Sequence, residues 1–236
     1  MSATTMQRHE FPDGAALAPA FAQWTANLLQ KGVDERGEAV LIVSGGNTPK
    51  RYFAALAQRP IDWARVTITL ADERCVADDS PRSNARLLRE NLLRDHASAA
   101  RFAPLADSRL SPDQELAAAR ARIADLPLPA DLVVLGMGDD GHTASWFPGA
   151  DNLAEAIDPG ARNLVLPMRA PGALEPRLTL TARVILRARA LALHIEGADK
   201  LATLARAAAE GPVEAMPIRA ALRGASDRLT IFSASS

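Results

Sequence analysis

Short apolar runs alternate with longer stretches in which apolar side chains recur every three or four positions. Ala39–Val43, Val66–Leu70 and Leu132–Leu135 are the clearest runs, with further ones at 190–195 and 229–232 and a weaker one at 163–166. Runs without strict apolar–polar alternation predict strands covered on both faces. The first three end in Ser44-Gly45-Gly46, Ala71-Asp72-Glu73-Arg74 and Gly136-Met137-Gly138.

Helical spacing fills the gaps. Over 15–30, Leu17, Phe21, Trp24 and Leu28 fall near one face. Ser111 opens a second helix, with Pro112 at its first position, Gln114 completing a capping box and Leu116, Ala119 and Ile123 as its stripe. Segments 82–95 and 199–210 also predict helices. Strands alternating with helices imply βαβ units, hence an α/β fold with a mostly parallel sheet and helices on both faces. No repeat and no low-complexity linker divides the chain, so 1–236 reads as one domain.

Ligands of such sheets bind beyond the carboxyl ends of the strands, which directs attention to three segments. In Ser44-Gly45-Gly46-Asn47-Thr48-Pro49, glycines let backbone N–H groups approach an anion. Thr48 can cap the next helix with Pro49 behind it, giving a phosphate cradle or simply a tight turn. The G-K-[ST] ending of a Walker A loop is absent.

In the second segment, Arg74 suits phosphate or a developing oxyanion, with Asp72 or Glu73 to orient it, or the triplet is a solvated loop. Ser83-Asn84 offers a helix cap or polar contacts to the same pocket. The third segment, Gly136-Met137-Gly138-Asp139-Asp140-Gly141-His142-Thr143, contains G-x-G-x-x-G. His142 stands where a phosphate-binding helix should open, which argues against a dinucleotide site. A histidine among polar groups beyond a strand end is a candidate general base, and equally a structural histidine on spacing alone.

Ser145 lacks the G-x-S-x-G setting of a nucleophile. His194 lies in an apolar run and reads as a packed residue, His9 and His96 as surface residues, Cys75 as a bystander.

Charge adds little. The 27 basic and 28 acidic residues nearly cancel, which speaks against a nucleic-acid-binding field. Lysine is confined to Lys31, Lys50 and Lys200. The single cysteine excludes an internal disulfide or a multi-cysteine metal site. No signal-peptide pattern or membrane-length apolar run is visible, so a soluble cytoplasmic protein is expected. No metal-ligand spacing stands out.

Taken in order, the three segments resemble the 6-phosphogluconolactonase family, through Ser44 to Pro49, Asp72-Glu73-Arg74 with Ser83-Asn84, and Gly136 through His142 to Thr143-Ala144-Ser145-Trp146-Phe147-Pro148-Gly149. Arg177-Leu178-Thr179-Leu180-Thr181 and Gly197-Ala198-Asp199-Lys200 are similar to later motifs of that family. Asn47 stands for a common Ser and Trp146 for a common Leu.

The resemblance implies hydrolysis of 6-phosphoglucono-δ-lactone, the second step of the oxidative pentose phosphate pathway, without a cofactor. It also implies a Rossmann-like fold shared with glucosamine-6-phosphate deaminase and ribose-5-phosphate isomerase. It makes His142 the base, with Asp140 orienting it or only shaping the turn. Gly45, Gly46, Asn47, Thr48, Asp72, Arg74 and Lys200 would serve phosphate and developing charge, with Arg177 a further contact.

The related deaminase has Asp-Glu-Tyr at the second motif and Ile-Ala-Phe-Asn-Glu-Pro after its Asp-Gly-His, neither of which occurs here. A sugar-phosphate sensor of the transcription-regulator type needs a helix-turn-helix module, and the residues before Ala39 suggest one amphipathic helix only. The expected partner is a small sugar-phosphate lactone, without nucleic acid or membrane, for a monomer or small homo-oligomer.

Overall fold

The computed structural model describes residues 6–236. Its strands are β1 (Gln7–Phe11), β2 (Ala39–Val43), β3 (Val66–Leu70), β4 (Asp72–Arg74), β5 (Arg101–Ala103), β6 (Leu132–Leu135), β7 (Val165–Met168), β8 (Arg177–Leu180), β9 (Ala190–Glu196) and β10 (Leu229–Ala234). The helices are α1 (Gly14–Arg36), α2 (Lys50–Ala57), α3 (Asn84–Asn91), α4 (Pro112–Ala124), α5 (Leu153–Ala156), α6 (Ala182–Ile185), α7 (Ala198–Ala208) and α8 (Arg219–Gly224).

Seven strands form one sheet in the order β1-β10-β9-β6-β2-β3-β5, and every pairing in it is parallel. Helices lie around it. All residues of β2, β3 and β6 are buried, as fully covered strands require. The chain steps outward from β2 to β3 and β5, then returns to the other side of β2 with β6. Strand order therefore reverses between β2 and β6, and the crevice beyond their carboxyl ends is where a parallel sheet offers a site.

Helix α1 runs across β1, β10, β6 and β2. Asp13 caps it by accepting from Ala16 N–H at 2.8 Å, and Gly37 ends it at φ +81°, a left-handed position suited to glycine. Leu17 and Phe21 are buried, whereas Trp24 and Leu28 are only partly so. The buried stripe continues instead through Thr25 and Leu29.

Phe21 stacks on Tyr52 and Phe232 with ring centroids 4.1 and 4.2 Å away. At the start of α4, Gln114 Oε1 accepts from Ser111 N–H at 3.2 Å, forming the expected capping box. Helix α3 is shorter than 82–95 because Ser83 caps it, its hydroxyl accepting from Arg86 N–H at 3.1 Å.

Some expectations change. Thr48 does not cap α2: Pro49 occupies the cap position and no side chain bonds there. The weak run at 163–166 becomes β7, displaced to Val165–Met168 and placed outside the parallel sheet. It is an edge of a separate antiparallel sheet, β4-β8-β7, where Pro167 is tolerated because an edge strand can forgo a ladder donor. Asp72-Glu73-Arg74 forms β4 of that sheet and is not a loop. Among the described residues the first strand is β1, ahead of the helix expected over 15–30 and before Ala39.

Candidate active site

A cavity of about 260 Å³ opens at the crevice between β2 and β6. Its wall takes Ser44 through Pro49 from the end of β2, and Gly136, Gly138, His142 and Thr143 from the end of β6. Asp72 and Arg74 come from β4, Arg177 from β8, and Lys200 from α7. The structure thus brings Gly45, Gly46, Asn47, Thr48, Asp72, Arg74, His142, Arg177 and Lys200 to one cavity. Asp140 stands behind His142.

The chain makes a tight turn after β6. Gly141 N–H donates to Gly138 O at 3.0 Å, and Gly138 N–H donates to His142 O at 2.9 Å. Gly141 sits at φ +80°. No helix follows, in keeping with the reading against a dinucleotide loop. A side chain at Gly138 would collide with the His142 ring and the Asp140 carboxylate, so close packing of this loop requires glycine there.

Asp140 Oδ1 lies 2.6 Å from His142 Nδ1 and also accepts from His142 N–H at 3.0 Å. The residue therefore shapes the turn and orients the imidazole together. Burial pushes the Asp140 pKa up, but the hydrogen bonds from His142 outweigh it and hold it down at about 2. Its charge also fixes the proton on Nδ1 when the ring is neutral, leaving Nε2 as the basic nitrogen. Phe147 stacks on the ring at a centroid distance of 4.0 Å.

Neither Asp72 nor Glu73 orients Arg74. Asp72 Oδ2 accepts from Ser145 Oγ at 2.6 Å and lies 3.7 Å from Arg177 Nη1. Glu73 is 2% exposed and turns toward α3, accepting from the N–H groups of Arg74, Asn84 and Ala85 and from Ser83 Oγ. Burial pushes its pKa up against those donors, which pull it down. The sequence offers three adjacent charges, and the short strand sends alternate ones to opposite faces.

Arg74 and Arg177 are register partners across β4 and β8. Directly opposed residues of an antiparallel pair share a face, and like charges there are destabilising. Burial lowers the Arg177 pKa, with Asp72 opposing that shift and Arg74 adding to it. Buried Arg74 Nε and Arg177 Nε have no hydrogen-bond partner, and neither does Ser44 Oγ. Native proteins rarely leave buried donors unsatisfied, so three in one cavity wall point to an anionic or polar ligand.

Lys200 Nζ lies 2.7 Å from Asp139 Oδ1, an ion pair that nothing in the spacing suggests. Lys31 and Lys50 are exposed on helices. His194 is buried and packs, but Nε2 lies 2.9 Å from Glu196 Oε1 and the residue lines the cavity floor. Cys75 has its pKa pushed up to about 12, chiefly by burial and also by Glu115, which keeps it a thiol. Among the described residues no group of three or more His, Cys, Asp or Glu side chains is arranged to hold a metal. No helix among them is long and apolar enough to cross a membrane.

Four contributors escape sequence reasoning as participants in the site, namely Ser44, Ser145, Phe147 and Asp139, whereas Asn84 lines the cavity as the reading of polar contacts to this pocket expects. Asn84 Nδ2 donates to Asp72 O at 2.9 Å, and its carboxamide fills the space that a side chain at Gly45 would need. The four missed residues stand in or beside the three motifs, so proximity to them is the signal available.

Known proteins resemble the chain along most of its length. The family model described as glucosamine-6-phosphate isomerases/6-phosphogluconolactonase matches residues 12–231. A 6-phosphogluconolactonase of Mesorhizobium japonicum is 50% identical over 222 residues, covering 94% of this chain and 92% of the relative. One from Rhizobium meliloti is 48% identical over 224 residues, covering 95% and 97%. A crystal structure of a 6-phosphogluconolactonase from Shewanella baltica superposes with a TM-score of 0.93 at 39% identity, covering 98% of each chain. With cavity, motifs and relatives in agreement, the chain belongs to the glucosamine-6-phosphate isomerase/6-phosphogluconolactonase family.

Proposed function

We propose that the chain hydrolyses 6-phospho-D-glucono-1,5-lactone to 6-phospho-D-gluconate, the second step of the oxidative pentose phosphate pathway, with His142 as general base. The observation that carries this reading is the cavity itself. It faces an Asp140–His142 pair toward Arg74, Arg177, Lys200 and a glycine loop. Relatives bearing the name 6-phosphogluconolactonase at up to 50% identity support the choice of substrate.

Nε2 of His142 takes a proton from water as its oxygen bonds to the lactone carbonyl carbon. Charge gathers on the carbonyl oxygen, which Arg74 and Arg177 stabilise. The ring C–O bond then breaks, and the imidazolium returns its proton to the departing ring oxygen. The product acid ionises to solvent. Lys200 and the amides of Gly45, Gly46, Asn47 and Thr48 hold the phosphate. Asp72, kept in place by Ser145, holds Arg177.

No cofactor or metal enters these steps. We read residues 1–236 as one cytoplasmic domain, a monomer or small homo-oligomer without nucleic-acid or membrane partners.

The test generates the δ-lactone in place with glucose-6-phosphate dehydrogenase, removes residual hexose phosphate and follows acid release with and without the protein. Acceleration over spontaneous hydrolysis is expected, and none would overturn the assignment. Ammonia release from glucosamine 6-phosphate would instead favour the deaminase branch of the family.

A further inference from the structure

Lys200 is not a free cation. Its ammonium lies 2.7 Å from Asp139 Oδ1, and the lysine side chain is 26% exposed where it borders the cavity. The Asp139 backbone is anchored to the same helix. Arg206 Nη2 donates to Asp139 O at 3.0 Å, and Thr203 Oγ1 donates to it at 3.4 Å. Arg206 is in turn tied to Thr203 Oγ1 at 2.9 Å. With its main chain pinned from α7, the Asp139 carboxylate, whose side chain is 79% exposed, stays within reach of Lys200. The next residue is Asp140, the partner of the base.

A phosphate drawn to Lys200 meets this carboxylate. It must displace the Asp139 oxygen from the ammonium or sit beside it, and both cost affinity through lost pairing or like-charge repulsion. We propose that Asp139 is a built-in competitor for the phosphate group at Lys200, a residue that sets the affinity of the phosphate subsite. Neutral or weakly charged sugars cannot draw Lys200 away from it, whereas a phosphate dianion can. The same competition loosens the phosphorylated product and eases its departure. The inference rests on the reading of Lys200 as phosphate anchor.

The experiment is a double-mutant cycle read by calorimetric binding of 6-phosphogluconate to the full chain. Lys200→Met should weaken binding. Asp139→Asn should tighten it about twofold to fivefold, the range a partly exposed ion pair supports. In the Lys200→Met background, Asp139→Asn should no longer tighten binding. Asp139→Ser serves as a second variant should the Asn variant misfold.

Unchanged or weaker binding by both Asp139 variants, with Lys200→Met still weakening, overturns the competitor role alone. Equal tightening in both backgrounds also overturns it, because general loss of negative charge then suffices. If Lys200→Met leaves binding unchanged, the anchor reading falls and the competitor with it. A merely structural Asp139 would not produce a tightening that depends on Lys200.

Discussion

The hydroxyl of Ser145 donates a 2.6 Å hydrogen bond to Asp72 Oδ2 across 73 positions of sequence, with both side chains buried. Its oxygen is thereby committed to a carboxylate, which is support and not attack. Ser145→Ala should destabilise the fold by about 1–3 kcal/mol, since Asp72 loses a buried donor. Activity should fall modestly as Arg177 shifts. Denaturant unfolding and steady-state kinetics on the same variant check both parts. Complete loss of turnover in a stably folded protein would return Ser145 to candidacy as a nucleophile.

His142→Ala should lower kcat by about 10²–10⁴-fold, the usual contribution of a general base. KM should change little. Near-normal kcat in the variant would remove His142 from the chemistry. Lactones hydrolyse spontaneously in base, so each rate needs its own blank.

Asp140→Asn should reduce kcat by about tenfold or more, because the neutral amide no longer favours the proton on Nδ1. The stability effect has a definite sign. Asp140 has its pKa held down at about 2, so the folded state favours the carboxylate more than the unfolded chain does. That stabilisation is present above the ordinary aspartate range and is lost as pH falls toward about 2. The Tm difference between wild type and variant should narrow over that interval, and a constant gap would contradict the pairing.

Gly138→Ala should abolish most activity, because the new methyl group occupies space held by the His142 ring and the Asp140 carboxylate. Gly46→Ala is an informative contrast. Nothing lies near its added methyl group, but φ is +99°, so its cost is backbone strain of about 1–2 kcal/mol. A normal kcat for Gly138→Ala would show that the loop can relax around the base.

Glu73→Gln should lower stability by about 1–3 kcal/mol, as one amide oxygen cannot replace a carboxylate that serves the Asn84, Ala85 and Arg74 N–H groups. Hydrogen exchange should quicken at the start of α3 first. Unchanged protection there would mean that Ser83 alone caps the helix.

What could be read from sequence follows burial. Strands β2, β3 and β6 are covered on both faces, so their composition declares them. Strand β1 is exposed along most of its length and joins the sheet through backbone bonds to β10, so Gln7–Phe11 looks polar. The edge strand β5 is partly exposed for the same reason. The glycine loop, Arg74 and His142 could be placed at the crevice because they follow strand ends, whereas Lys200 came only through the family resemblance. The partners of Asp72 and Lys200 were not, because Ser145, Arg177 and Asp139 reach them through pairing of distant segments.

Strand β10 lies between β1 and β9 in the parallel sheet, although β1 precedes and β10 follows every other strand of that sheet in sequence. During synthesis β1 therefore has no sheet neighbour until β10 emerges. Closing a loop of nearly the whole chain costs configurational entropy, and folds dominated by such distant pairings form slowly. Completion of the central sheet is thus deferred until β10 has been made. A nascent chain stalled before Leu229 would expose the free edge of β9, an adhesive surface for another chain.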